Sequence, residues 1–199
     1  FQYDSKKSGG FTCSHLRFGD KQIRSTYLVT NPSFVACHVP AYLHQYDVLK
    51  GLKKGGSFLL NSIWDEEETK NQLPAKMKKY MADNEIKFYI INGTQLGEDL
   101  GLGTRTNTIM QSAFFKITEV IPYSIAVDEM KKAIIKSYGR KGERIVNMNF
   151  AAVDAGGKNV TKVKVPAEWK NIQIEASNGD SDRPEYIVKV VDVINGQRG

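Results

Sequence analysis

Cysteine is scarce in this sequence of 199 residues: only Cys13 and Cys37 occur, and there is no Cys-x-x-Cys spacing. Two cysteines are too few for a disulfide framework or a four-thiolate metal site, and the chain by itself lacks the ligands for an iron–sulfur cluster. The histidines His15, His38 and His44 do not form a metal-binding pair on one helix face. We therefore expect no metal in this chain and buried free thiols at both cysteines.

Other motifs that carry chemistry are also missing. The sequence has neither the Gly-x-Ser-x-Gly turn of a hydrolase nor the GxxxxGK[ST] phosphate loop, and no carboxylate pair stands out for acid–base work. We therefore predict no catalytic residue, and the chain alone does not resemble a complete enzyme. It has no signal peptide and no apolar run long enough to cross a bilayer, so we expect a cytoplasmic protein. Because it begins with Phe1 and not with methionine, we expect it to be part of a longer polypeptide.

The sequence contains enough apolar residues for a hydrophobic core and carries a net positive charge. Hydrophobic residues make up 41% of the sequence and aromatic residues 10%, which argues against general disorder. The formal net charge of +6 attracts phosphates, acidic partners or nucleic acid without choosing among them. The lysines are spread along the chain without an aromatic platform, so we discount nucleic-acid binding.

Strand-like and helix-like patterns alternate through the first two-thirds of the chain. Runs of β-branched and aromatic residues predict strands at 23–30, 34–39, 57–64 and 86–92. Apolar residues at helical spacing predict helices at 40–52, 106–120, 124–139 and 143–154, and another helix that begins at Pro74. This alternation predicts an α/β domain with a largely parallel sheet, in which ligands lie beyond the carboxyl ends of the strands.

The character of the sequence changes near residue 158. Segment 159–169 has a short alternation interrupted by a proline, and segment 174–185 is polar and rich in turn-forming residues. We therefore divide the chain into an α/β domain at 1–157 and a linker or extended arm at 158–199. Gly156 and Gly157 are expected to end the last helix of the domain.

Polar loops provide the candidates for anion binding. The stretch SKKSGGFTCS combines lysine ammonium groups, hydroxyls and unhindered glycine N–H groups, which are the components of a phosphate-binding loop. The alternative interpretation is a solvent-exposed loop that binds no ligand. GLGTRTN precedes a predicted helix and would add Arg105 to the positive end of that helix, and Thr106 or Asn107 could cap it. The segment 93–105 as a whole is interpreted as a glycine-dotted loop. Further polar loops follow the strands at Asn61 and at 92–94.

Several long motifs carry a resemblance to one known family. YDSKKSGGFTCSHLRFG, FVACHVPAYLHQYDVLKGLKKGGSFLLNSIW, GLGTRTNTIMQSAFF and KSYGRKGERIVNMNFAAVD occur in this chain. Together they resemble the third, gamma-subunit-like domain of pyruvate:ferredoxin (flavodoxin) oxidoreductases, over about residues 1–170. The resemblance implies a Rossmann-like layered domain of the 2-oxoacid oxidoreductase gamma type, with a mainly parallel sheet and flanking helices.

The resemblance also implies a function for the parent enzyme. Such enzymes convert pyruvate and coenzyme A to acetyl-CoA and CO₂ with thiamine diphosphate, Mg²⁺ and 4Fe-4S clusters, and they reduce ferredoxin or flavodoxin. The thiamine and cluster motifs of the family lie in other domains, and the family's glycine-rich loop upstream of the YDSKKSGG-like motif is not in this chain. We therefore expect this fragment to bind no cofactor and to be inactive alone. The gamma-type domain is expected to contribute to coenzyme A binding and to pack against the other domains.

Within that resemblance, eleven residues form a hypothetical coenzyme A site. They are Lys6, Lys7, Ser8, Gly9, Gly10, Thr12, Ser14, Arg17, Asn61, Arg105 and Asn107. Arg17 could instead pair with an acid, and Asn107 could only cap its helix. The competing function is a non-catalytic docking module with no ligand of its own. No nucleic-acid or membrane partner is expected. Because the family's first strand is missing, a homo-oligomer or the C-terminal arm would have to cover the exposed sheet edge.

Overall fold

The computed structural model describes residues 2–3, 12–19, 22–24 and 28–174. The strands are β1 (Gln2–Tyr3), β2 (Thr12–Cys13), β3 (Phe34–Cys37), β4 (Ser57–Asn61), β5 (Lys87–Ile91) and β6 (Thr161–Val163). The α-helices are α1 (Tyr42–Gln45), α2 (Glu66–Gln72), α3 (Ala75–Asp83), α4 (Gly93–Asp99), α5 (Asn107–Thr118), α6 (Tyr123–Tyr138) and α7 (Glu143–Lys158). Short 3₁₀-helices occupy Gly139–Lys141 and Ala167–Asn171. Within these ranges, no helix combines the length and apolar character needed to cross a membrane.

The main sheet of the described residues has the strand order β3-β4-β5-β6. β3, β4 and β5 are parallel, and β6 runs antiparallel to β5. β4 is covered on both faces, since Phe58, Leu59 and Leu60 are each 0% exposed, which explains why its sequence is apolar without alternation. The α/β prediction with a mainly parallel sheet is confirmed. The strands predicted around 57–64 and 86–92 are present as β4 and β5.

Two layers of side chains enclose the sheet. On one face, Phe58 and Phe88 stack with their ring centroids 5.4 Å apart and belong to a cluster with Met81 of α3 and Trp169. On the other face, Leu59 and Ile91 pack in a cluster that includes residues of α5 and α7. These layers are what an α/β sheet needs to bury both of its apolar faces.

The helix predicted at 40–52 is much shorter than expected. Only Tyr42–Gln45 is helical, and Tyr46 is extended with φ −130° and ψ 154°. The chain then continues through turns to Gly51, which has φ +75° and whose added Cβ would lie 2.1 Å from the Thr30 carbonyl oxygen. Leu49 and Leu52 are buried all the same. Apolar spacing therefore identified core positions there, although the backbone between them is not a helix.

The glycine-dotted loop predicted at 93–105 is wrong in its first half, which forms α4. The Asn92 side chain caps this helix by accepting from the Gln95 N–H at 3.0 Å. Gly97 lies against the next loop, where an added Cβ would stand 2.6 Å from the Gly103 carbonyl oxygen. The glycine is needed for this close contact and does not break the helix.

The predicted helix end at Gly156-Gly157 is also wrong, because α7 continues to Lys158. A Cβ on Gly156 would lie 2.3 Å from the Ile109 carbonyl oxygen, so glycine permits the close approach of α7 to α5. Of the strand predicted at 23–30, residues 25–27 lie outside the described part, and the described residues of that range are not in a strand.

Residues just beyond 158 pack on the domain. β6 pairs with β5, with Ile90 opposite Thr161, so this segment covers the β5 edge of the sheet. Trp169 is only 9% exposed and belongs to the core cluster of Phe58 and Phe88. The domain boundary at 157 and the arm at 158–199 stay predictions, since residues 175–199 lie outside the described part.

Candidate functional site

Asn61 lies at the carboxyl end of β4 and ties three chain segments together. Its Nδ2 donates to the His38 carbonyl oxygen at 3.1 Å and to Thr94 Oγ1 at 3.2 Å. Its Oδ1 accepts from the Gly93 N–H at 2.9 Å, and the residue is 5% exposed. Both side-chain donors are thus engaged within the protein. The position at the sheet edge is as expected, while ligand contact by Asn61 stays a prediction.

The N-termini of α4 and α5 differ in how their N–H groups are satisfied. At α4, the Gly93 N–H binds Asn61 and the Gln95 N–H binds Asn92. At α5, Thr106 makes no side-chain capping bond. Asn107 is the first residue of the helix, and it is exposed. Of the two residues expected to cap α5, Thr106 occupies the N-cap position without a side-chain hydrogen bond, and Asn107 is already the first residue of the helix. Within residues 28–174, the N–H groups of Asn107 and Thr108 have no acceptor, which is usual in the first turn of a helix.

Arg105 stands next to this open helix end. Its Nε donates to the Leu102 carbonyl oxygen at 3.0 Å, which orients the guanidinium on its loop. Its other guanidinium nitrogens have no recorded partner in the described part of the chain, and the residue is exposed. The positive charge of Arg105 therefore lies next to the positively polarised N-terminus of a 12-residue helix.

The segment 12–19 is extended and alternates in burial. Cys13, His15 and Arg17 are half-buried, whereas the residues between them are exposed. His15 Nδ1 accepts from the Val29 N–H at 3.1 Å, and Arg17 donates to the Leu28 carbonyl oxygen at 3.0 Å. The alternation leaves the hydroxyl-bearing residues Thr12 and Ser14 facing solvent, as a ligand contact requires. Lys6, Lys7, Ser8, Gly9 and Gly10 lie outside the described residues.

Segment 12–19 meets α5 away from the N-terminus of that helix. Phe18 stacks on Phe114 with ring centroids 5.8 Å apart. Phe114 follows Asn107 by seven residues, which is roughly 10 Å along the helix axis. Phe18 of this segment and Arg105 therefore lie beside different parts of α5.

A cleft that the sequence analysis did not find lies at the carboxyl ends of β4 and β5. It has a volume of about 280 Å³ and is lined by Ser62, Trp64, Ile90, Ile91, Asn92, Gln95, Leu96, Asn159 and Thr161. Asn92 stood in a loop that the sequence analysis had marked. Asn159 and Thr161 were missed because they fall in the segment interpreted as an arm. The antiparallel return of β6 brings them to this edge of the sheet.

Comparison with known proteins gives the family. The sequence profile described as pyruvate ferredoxin/flavodoxin oxidoreductase matches residues 1–158. This chain belongs to the pyruvate ferredoxin/flavodoxin oxidoreductase family. The whole chain is 48% identical to pyruvate:ferredoxin oxidoreductase of Moorella thermoacetica and covers 17% of that protein. It is 47% identical to pyruvate-flavodoxin oxidoreductase of Enterobacter agglomerans, again over the whole chain and 17% of the relative.

Two further comparisons extend this picture of the oxidoreductase family. The chain is 38% identical to mitochondrial pyruvate dehydrogenase [NADP(+)] of Euglena gracilis. This match includes 96% of the chain and 11% of that relative. The fold is similar to the solved structure of pyruvate oxidoreductase subunit PORC from Thermotoga maritima, with a TM-score of 0.55 and 20% sequence identity. The match covers 68% of this chain and 67% of the PORC chain. That likeness shows the α/β fold. The chain spans 11–17% of the length of these curated relatives.

Burial shifts the pKa values of two thiols and one imidazole among the described residues. Burial raises the pKa of the Cys37 thiol to about 11, and its S–H donates to the Val39 carbonyl oxygen at 3.2 Å. Burial also raises the pKa of Cys13 and lowers the pKa of His38. A protonated thiol is a poor nucleophile, so neither cysteine has the environment of a catalytic one. In the described part of the chain, no three His, Cys, Asp or Glu side chains are grouped to hold a metal.

Proposed function

We propose that this chain is a coenzyme A-binding domain of a pyruvate:ferredoxin or pyruvate:flavodoxin oxidoreductase. The parent would form acetyl-CoA and CO₂ from pyruvate and coenzyme A and pass the electrons to ferredoxin or flavodoxin. The described residues offer no grouped metal ligands, so they do not fit Mg²⁺ or an iron–sulfur cluster. We assign thiamine diphosphate, Mg²⁺ and the clusters to the other domains of the parent. The cytoplasm is the compartment we propose.

The observation that supports coenzyme A binding is the open N-terminus of α5 beside Arg105. Coenzyme A carries a pyrophosphate and a ribose phosphate, and such groups bind helix N-termini and guanidinium groups. Thr106 makes no capping bond that would compete, and Arg105 keeps guanidinium nitrogens available after bonding the Leu102 carbonyl oxygen. Asn107, exposed at the first helical position, lies within the same phosphate subsite.

The remaining predicted contacts take different roles in this proposal. Thr12 and Ser14 present exposed hydroxyl-bearing side chains and are kept as contacts, together with the lysines, serine and glycines of 6–10. Arg17 is anchored to the Leu28 carbonyl oxygen and supports the segment. Asn61 acts by positioning the start of α4, because its donors are already used within the protein.

Calorimetric titration of coenzyme A into the 199-residue chain tests the proposal. We expect binding, and we expect Arg105→Ala to weaken it roughly tenfold, since a charge-assisted hydrogen bond is lost. Arg140→Ala, which removes another exposed arginine from the 3₁₀-helix after α6, should bind as the unaltered chain does. No heat at millimolar ligand would contradict binding by this chain and leave the family unchanged. Equal effects of the two variants would contradict the placement at α5.

Docking without a ligand is the second candidate, and the exposed apolar side chains of segment 12–19 favour it. Leu16 is 71% exposed beside Phe18, and the chain spans only 17% of relatives that would supply partner domains. Hydrogen exchange at 12–19 distinguishes the candidates. Docking predicts slow exchange in the full-length parent whether or not coenzyme A is present, and coenzyme A contact predicts slowing only when the ligand is added. Self-association is checked by sedimentation of the same sample.

A further inference from the structure

We propose that a cavity between α5, α6 and α7 binds a small molecule with two carboxylates and one ammonium group, the chemistry of an acidic amino acid. The cavity has a volume of about 440 Å³, which lies in the usual range for small-molecule sites. The residues of its lining that matter here are Lys116 of α5, Tyr123 and Asp128 of α6, and Asp154, Gly157 and Lys158 of α7.

This cavity is separate from the sheet edge and from the residues of the proposed function. It shares no lining residue with the cleft at the carboxyl ends of β4 and β5. Lys116 follows Asn107 by nine residues, which places it roughly 14 Å along α5 from the proposed phosphate subsite. The inference therefore goes beyond the proposed function and uses none of its residues.

Tyr123 forms a fixed floor for the cavity. Ser112 of α5 is buried and donates its hydroxyl hydrogen to the Val153 carbonyl oxygen of α7, so the Tyr123 hydroxyl donates to Ser112 Oγ at 3.0 Å. A Cβ on Gly157 would lie 1.7 Å from Tyr123 Oη, so a larger residue there would push the phenol aside. The ring is thus held among three helices before any ligand arrives, and binding does not have to order it.

Two lysines on different helices line the cavity without a carboxylate partner. Lys116 Nζ lies 5.1 Å from the centre of the Tyr123 ring. Within the part of the chain that the structure describes, neither Lys116 nor Lys158 makes an ion pair, and both are exposed. Each ammonium group has three donors, and contact with a ring face uses none of them fully. Two such groups at one cavity suit two carboxylates.

The two carboxylates of the lining differ in whether they are already paired. Asp154 is engaged within the protein, because its Oδ1 lies 3.0 Å from Lys131 Nζ. Asp128 makes no hydrogen bond or ion pair among the described residues. An unpaired carboxylate disfavours a simple dianion and accepts from an ammonium group. The unpaired charges of the cavity, two positive and one negative, therefore complement those of an acidic amino acid.

The positions of both lysines also have an explanation that needs no ligand. Lys116 lies in the last turn of α5 and Lys158 in the last turn of α7, where a cation stabilises the negative end of a helix. That explanation assigns no role to Asp128, and it predicts no preference among ligands of different charge. A matched series of ligands therefore distinguishes the two explanations.

Amide chemical shifts of residues 123–128 and 154–158 give a local readout for a titration with L-glutamate at low ionic strength. We expect millimolar binding that weakens as salt is added, because ion pairs with exposed lysines are weak and screened. Glutarate, which lacks the ammonium group, and L-glutamine, which lacks the second carboxylate, should each bind about fivefold more weakly. Asp128→Asn should abolish the difference between glutamate and glutarate.

Two lysine variants and a matched control complete the test. Lys116→Met and Lys158→Met should each weaken glutamate binding about fivefold, since each removes one charged donor. Lys136→Met changes an exposed lysine of α6 that does not line the cavity, and it should bind as the unaltered chain does. Circular dichroism confirms that each variant is folded.

The inference is overturned if glutamate at tens of millimolar moves none of these amide shifts. Equal affinities for glutamate, glutarate and glutamine would also overturn it, as would a Lys136→Met variant that loses as much affinity as the two cavity variants. None of these results bears on coenzyme A binding, which is measured with a different ligand at residues outside this cavity.

Discussion

The Gly93 N–H donates to Asn61 Oδ1 at 2.9 Å, which joins the end of β4 to the start of α4. Asn61 is buried and also bonds the His38 carbonyl oxygen and Thr94 Oγ1. One side chain thus sets the relative positions of three loops at the carboxyl edge of the sheet. A buried hydrogen-bonded amide of this kind is costly to remove, because its partners are left unsatisfied.

Asn61→Ala should destabilise the fold by about 1–3 kcal/mol, since the Gly93 N–H loses its partner in a buried position. Urea unfolding followed by circular dichroism measures the change. Asn147→Ala replaces an exposed asparagine of α7 and should change the stability by less than about 0.5 kcal/mol. If both variants unfold at the same urea concentration, the role given to Asn61 is wrong.

Gly156→Ala should destabilise the packing of α7 on α5. The new Cβ would lie 2.3 Å from the Ile109 carbonyl oxygen and 2.8 Å from Ser112 Cβ, so the helices must separate. We expect a loss of about 1–3 kcal/mol in thermal or urea unfolding. Gly139→Ala is the control, because φ there is −55° and the nearest atom to its Cβ is 4.0 Å away. It should be neutral or stabilising, and an equal loss in both variants would contradict the close approach.

Cys37 should make the fold sensitive to alkaline pH. Its pKa is about 11 in the folded chain and 9.0 ordinarily, so below about pH 9 the thiol is protonated in both states. Between these values the unfolded chain releases the proton and the folded chain retains it, so stability falls as the pH rises. The loss approaches roughly 2–3 kcal/mol. Urea unfolding at pH 8 and pH 10 should show a smaller fall for Cys37→Ala, and an identical fall would count against buried protonation.

Trp169→Ala tests whether the segment after α7 belongs to the folded domain. Trp169 is buried with Phe58 and Phe88, so its removal should cost about 3–5 kcal/mol. Glu168→Ala changes an exposed neighbour and should have little effect on the unfolding midpoint. A Trp169→Ala variant as stable as Glu168→Ala would support a linker that begins at 158 and contributes nothing to the core.

The sequence predicts those elements whose pattern has one explanation. The apolar runs of β4 and β5 predict buried strands, and the helical spacing in α5 and α6 predicts helices. The prediction is wrong where a residue type serves two purposes. Gly97 and Gly156 suggested a loop and a helix end, but each is a contact point between segments distant in sequence. Local pattern cannot distinguish these uses of glycine.

The candidate site was also predicted only in part from the sequence. The rule that ligands bind at strand ends directs attention to Asn61, and it lies there. Which of its atoms are already bonded depends on Gly93 and Thr94, which lie more than thirty positions away in the chain. Trp64, Gln95 and Asn159 carry no motif. Trp64 and Gln95 follow the paired strands β4 and β5, and Asn159 joins them because β6 returns beside β5.

By itself the sequence determined the family, through long motifs, and the buried strands of an α/β sheet, through their continuous apolar residues. The tertiary structure decided the direction of β6, the purpose of the glycines and the polar atoms that remain available to a ligand. The physical reason is the distance along the chain over which each kind of interaction acts. Periodicity and turn chemistry act over a few residues, whereas hydrogen-bond satisfaction and close packing join atoms from segments that only the folded chain brings together.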